Sequence, residues 1–150
     1  MIRRVVNLED ARLVCDSFKD FVDTNKINHF GDYKFDPETL FLAWGNVNLL
    51  VNSCVLVASF TDGGVDAVSW FVIGRDFRIN ETFAQSYIWI SKNHKHGVQV
   101  FLGALKVLYR KNIKLINVGI LHNSPYKDRI KKFLLKNGFK PEDESFYIKL

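Results

Sequence analysis

Long apolar runs, cysteine pairs and repeats are what this 150-residue sequence lacks. No stretch is long and apolar enough to span a bilayer, so no membrane is expected among its partners. The N-terminus mixes charges from Arg3, Arg4, Glu9 and Asp10, which argues against a secretory signal peptide. There are two cysteines, Cys15 in a helical pattern and Cys54 in a strand pattern. Neither has metal-ligand spacing, and two are too few for a disulfide-stapled secreted scaffold. Both are expected to be buried thiols in a reducing cytoplasm. Asn80-Glu81-Thr82 matches a glycosylation acceptor, which matters only in a secreted protein. Without repeats, low-complexity segments or linkers, residues 1–150 are read as a single domain with a real hydrophobic core.

What is present is an uneven positive charge. The net charge is +5, with Lys106, Arg110, Lys111, Lys131, Lys132 and Lys136 among the cations that crowd the second half. Such a half attracts a polyanion, either a phosphate-bearing nucleotide cofactor or a nucleic acid; the plainer account is a solvated, lysine-rich helix face.

Periodicity orders the chain. Ile2 to Val6 reads as an opening strand, and Asn7 caps a helix with Ala11, Val14, Cys15, Phe18, Phe21 and Val22 on one face and Asp10 at the capping-box position. Thr24 to Tyr33 is loop. Asp36-Pro37 starts a second helix carrying Leu40, Phe41 and Trp44; the run Val47 to Val51 fits helix and strand equally. Cys54 to Phe60 and Val65 to Ile73 are strands joined by the hairpin turn Thr61-Asp62-Gly63-Gly64, and Thr82 to Ile90 is a third, aromatic strand. A glycine loop around Gly97 then opens an amphipathic helix with Val98, Phe101, Leu102, Leu105 and Leu108 on one face. Lys114 to Leu121 follows as a strand parallel to its predecessor, because a helix has carried the chain back across the sheet. Ser124-Pro125 introduces a last helix closed by Asn137-Gly138, and Ser145 to Leu150 is a final strand.

The centre of this order is strand, glycine loop, helix. Unpaired N–H groups and the helix dipole favour an anion at a helix start, and His94, Lys95 and His96 add donors there. The stretch His94-Lys95-His96-Gly97-Val98-Gln99 resembles motif A of the GCN5-related N-acetyltransferase (GNAT) family, Q/R-x-x-G-x-G/A. His94 stands for the usual Gln or Arg, and Gln99 for the second small residue. The element order also resembles the family from end to end, and Asn137-Gly138-Phe139 resembles its closing Gly-Phe step. The fold class implied is α/β (α+β): a mixed, mostly antiparallel central sheet with helices on both faces, ordered β-α-α-β-β-β-α-β-α-β.

The resemblance implies acetyl-CoA as co-substrate. Its diphosphate would meet the amides from Lys95 to Gln99, its pantetheine arm the backbone near Trp89 and Ile90, and Asn123 would match a family asparagine. A primary amine, on a small molecule or a peptide, would attack directly in a ternary complex, with an N–H near Ile90 holding the oxyanion. The family's acid, a tyrosine on the last helix, falls at Leu134 when the chain is aligned on Gly138, after an insertion from Ser124 to Lys127. Tyr126 is the best substitute acid, with Ser124 and His122 behind it. Candidate bases are Glu81, Asp76, and Gln85 through a water.

His94, His96 and His122 invite zinc, but no cysteine or paired carboxylate supports them, so no metal is expected. Trp44 and Trp70 read as core. Leu134 and Gln99 keep open a second class of function, a non-catalytic GNAT-fold binding or regulatory module; a basic nucleic-acid-binding module is the less favoured third. A homodimer is an assembly the sequence leaves open.

Overall fold

The computed structural model describes residues 1–25, 36–120 and 124–141. In chain order it forms β1 (Ile2–Arg4), α1 (Leu8–Asn25), α2 (Pro37–Ala43), α3 (Val47–Asn52), β2 (Cys54–Thr61), β3 (Gly64–Asp76), β4 (Glu81–Ser91), α4 (His94–Arg110), β5 (Leu115–Val118) and α5 (Lys127–Lys136). The expected final strand, Ser145 to Leu150, and most of the loop Thr24 to Tyr33 lie outside the described residues.

Local chemistry sets the helix starts. Asn7 Oδ1 accepts from Asp10 N at 2.8 Å, and Arg3 holds the Asp10 carboxylate at 2.7 Å, so this buried acid is paired. Asp36 accepts from Glu38 N and from the Thr39 hydroxyl, which keeps its carboxyl below the usual range. The run that fitted helix and strand equally becomes α3, because Asn46 Oδ1 accepts from Leu49 N at 2.8 Å and starts a turn there. At the other end of the chain Gly138 takes φ 85°, and Phe139 N and Gly138 N return to Leu134 O and Leu135 O. That is the glycine-closed helix end expected from Asn137-Gly138.

The five strands lie in sequence order, antiparallel except for the parallel pair β4–β5. Alternation along β2 sends Leu56 and Ala58 to one face and Val55 and Val57 to the other. The first face packs on α1–α3 through Val14, Cys15, Phe18, Trp44 and Leu50. The second packs on α4 and α5 through Val100, Phe101, Ala104, Leu108 and Leu134. Both thiols are buried as expected, and burial pushes Cys15 up to about 12 and raises Cys54.

Phe101 is the hub of the second layer, with ring centroids 4.2 Å from Trp89, 5.8 Å from Phe133 and 5.9 Å from Phe71. Phe101→Ala should therefore lower unfolding free energy by about 3–5 kcal/mol, read as an earlier denaturant midpoint. Tyr109→Ala, on the same helix but 84% exposed, should stay within about 0.5 kcal/mol of the parent.

Candidate active site

The parallel pair is short. β4 pairs with β5 from Phe83–Leu115 to Ser86–Val118, and among the described residues the ladder stops there. β4 itself runs on to Ser91. At the same point its register against β3 shifts: Trp70 faces Ile88 and Phe71 faces Ser86, so Tyr87 is an extra residue in a bulge. A bulge bends its strand and increases its twist, which is the local reason β4 leaves β5 here. Beyond Ser86 no pairing of β4 with β5 follows among the described residues, which is what the gap implied by the resemblance requires.

Ladder parity decides which backbone groups face that gap. Lys92 N donates to Asp66 O at 2.7 Å, and hydrogen-bonded pairs alternate along an antiparallel ladder. Ile88 and Ile90 therefore turn their N–H groups to β3, while Trp89 and Ser91 turn theirs to the open edge. The N–H expected at Ile90 for the oxyanion is committed to the ladder, and those of Trp89 and Ser91 are the ones that point away from β3. Gln85, expected to act through a water, instead donates its amide to Ser86 O at 3.1 Å, at the bulge.

α4 begins earlier than the glycine loop suggested. Its first residue is His94, and Gly97 lies inside the opening turn, with Gly97 N donating to Asn93 O at 2.9 Å. Asn93 caps the helix: its Oδ1 accepts from Lys95 N at 3.0 Å and His96 N at 3.4 Å. Two of the amides expected to meet a phosphate are thus held by the protein's own side chain. His94 N is the first-turn amide with no partner among the described residues. The side chains of His94, Lys95 and Gln99 are exposed, and Val98 is half-buried.

His96 does not add a free donor. Its Nδ1 lies 2.6 Å from Asp66 Oδ2. Asp66 is there because β2 and β3 also shift register, pairing Ser59 with Ala67 and Phe60 with Val65 and leaving Asp66 as the extra residue. The pair ties the first turn of α4 to β3.

Gly97 serves a contact that sequence spacing alone does not show. A Cβ at this position would stand 2.4 Å from Ser91 Oγ and 2.9 Å from Ser91 Cβ. The glycine lets the helix backbone rest on β4, and Trp89 Nε1 closes the contact by donating to Gly97 O at 2.8 Å. Trp89, expected beside the cofactor channel, has its ring stacked on Phe101 and its backbone at the open edge.

The remaining candidates divide by position. Glu81 pairs with Asp76 at the far end of β4, eight residues or on the order of 25 Å from Trp89. Glu81 therefore cannot share a site with the α4 start. Asp76 is held by Arg78 at 2.7 Å, which keeps its carboxyl below the usual range and makes it a poor base. Tyr126 is at the N-cap position of α5, 62% exposed, where the chain returns from the C-terminal end of β5. Ser124 Oγ accepts from Tyr126 N at 3.3 Å. Leu134 is a core residue, 7% exposed. His122 and Asn123 lie outside the described residues. Among the described residues no three His, Cys, Asp or Glu side chains converge as a metal site.

Neither a family model nor a curated protein matches the sequence. Solved structures do match. An aminoglycoside acetyltransferase from an uncultured soil metagenomic sample, in complex with trehalose, superposes over 100% of this chain and 95% of its own, with TM-score 0.73 and 12% identity. A predicted acetyltransferase with acetyl-CoA from Clostridium acetobutylicum covers 99% of this chain and 95% of its own, at 0.70 and 13%. An acetyltransferase from Trypanosoma brucei covers 100% and 99%, at 0.67 and 10%. The chain therefore has the GNAT fold, a mixed and mostly antiparallel sheet flanked by helices.

Gly97→Ala should destabilise the protein by about 1–3 kcal/mol through overpacking. Ser91→Gly in the same chain should return most of that loss, because it removes both clashing atoms; thermal unfolding of the two single variants and the double variant checks this coupling.

Proposed function

We propose that the protein is an acetyl-CoA-dependent N-acetyltransferase acting on a primary amine by direct attack in a ternary complex. The observation that carries this is the open edge of β4 from Tyr87 to Ser91, beside the α4 start, in a fold shared with named acetyltransferases. One of those neighbours contains acetyl-CoA, and another is in complex with sisomicin, which supports a small-molecule acceptor.

In this reading acetyl-CoA supplies an activated thioester. The edge groups of Trp89 and Ser91 bind its amide-rich arm as a missing strand would. His94 N–H and the Lys95 ammonium meet the diphosphate, which competes with Asn93 Oδ1 for the next two amides. Edge N–H groups of β4 take the oxyanion. Tyr126 is the candidate proton donor to the leaving thiolate, since Leu134 has no proton to give. The acceptor nitrogen loses its proton by desolvation, because no described carboxylate on β4 lies near the gap.

The buried Leu134 favours a second reading, a module that binds the cofactor without transfer. Acetyl-CoA binding with no thiol release against amines and peptides would select it.

Asn93→Asp and Asn93→Ser both keep a competent helix cap, so both should fold. The carboxylate would sit where the diphosphate is placed, and Asn93→Asp should bind coenzyme A at least about tenfold more weakly than Asn93→Ser. Calorimetry reads the difference; equal affinities remove the α4 start from the site.

A further inference from the structure

The bulge that parts β4 from β5 also re-aims a ring. Because Tyr87 is the extra residue, it shares a sheet face with Ile88, the face that carries α1–α3. Its ring lies 5.0 Å from that of Trp70 at 48°, and Trp70 meets Trp44 edge-on at 5.2 Å and 90°. The two tryptophans are 8% and 2% exposed, whereas Tyr87 is 60% exposed. Tyr87 is therefore the exposed end of an aromatic cluster whose other two members are buried.

That ring stands at the residue where the gap begins. The start of α4 and the ring of Trp89 belong to the opposite face, so a phosphate-bearing thioester anchored there leaves the Tyr87 face for the incoming amine. From Phe83 to Ser91 the strand has no carboxylate and no cation. Among the described residues its apolar neighbours on the Tyr87 face include Val72, Ile88 and Ile90, with the uncharged Gln85 opposite Val72.

Resting on the acetyltransferase reading, we infer that Tyr87 is a specificity-determining residue that stacks on an acceptor whose primary amine is carried by a flat, apolar or aromatic body. A fixed aromatic surface rewards a second ring by a few tenths to about 1.5 kcal/mol beyond area burial, so a ring on the acceptor is worth up to about tenfold here. A polycation loses hydration at this surface, and the strand from Phe83 to Ser91 returns no charge to it.

The test is binding without turnover, by ligand-observed NMR titration of the full chain, with and without coenzyme A. The probes are 2-phenylethylamine, ethylamine and sisomicin. The parent should hold 2-phenylethylamine about tenfold more tightly than ethylamine, and more tightly than sisomicin. Tyr87→Phe should keep that preference and Tyr87→Ala should erase it, with coenzyme A affinity unchanged in both; circular dichroism confirms that each variant is folded. Failure of the parent to bind 2-phenylethylamine, an undiminished preference in Tyr87→Ala, or tighter binding of sisomicin overturns the inference. If 2-phenylethylamine binds through Tyr87 but acetyl-CoA releases no thiol, the enzymatic reading fails while the aromatic subsite stands.

Discussion

The close approach of α4 to β4 at Gly97 is the constraint around which the site is built. Helix backbone rests on Ser91 with no room for a Cβ, and the Trp89 indole N–H ties the Gly97 carbonyl to the strand. The hydrogen bond contributes on the order of 1 kcal/mol. The ring cluster of Trp89, Phe101 and Phe133 contributes more, roughly 1.5–3 kcal/mol for each side chain removed from water. Packing thus holds the helix on the sheet, and the glycine sets how near it comes. That distance brings the first turn of α4 beside the open edge of β4.

Two bulges then divide the labour between the sheet faces. The one at Asp66 sends a carboxylate toward α4, where it holds His96 and fixes the opening turn. The one at Tyr87 ends the pairing with β5 and sends a ring to the other face. Each inserts one residue, and one residue is enough to exchange faces because strand side chains alternate with period two.

The acid–base chemistry is where the protein departs from the family it resembles. Leu134 is needed by the core between α5 and the sheet, so a tyrosine there would have to displace packed side chains. With Glu81 remote and Asp76 engaged by Arg78, neither candidate base is placed to take a proton from the acceptor proposed above. Neutralising an amine of ordinary pKa near 10.4 at neutral pH costs about 4.6 kcal/mol. An apolar approach along Tyr87, Ile88 and Ile90 disfavours the charged form and supplies part of that cost through desolvation.

Periodicity and punctuation were enough to read much of the fold in the sequence. Apolar, β-branched density in β2, the hairpin turn to β3, the aromatic run of β4, the two-turn spacing of Phe101 and Leu108, the caps at Asn7 and Asp36, and the close at Asn137-Gly138 are local signals, and each appears where expected. The candidate site was legible only in outline. The motif resemblance centred on Gly97 drew attention away from Asn93, where the structure caps the helix. Trp89 and Ile90 were both assigned to the gap, and Ile90 to the oxyanion, because the hydrogen-bond parity that separates them is set by pairing with β3, which no local residue type announces. His96 looked free because its partner Asp66 is thirty residues away. Thus the sequence alone determined most of the described elements and their order, α3 excepted, since those rest on contacts between residues close along the chain. Which amides are free, which side chains are engaged and which ring faces the gap were decided by the tertiary structure, because register and packing join residues the chain holds far apart.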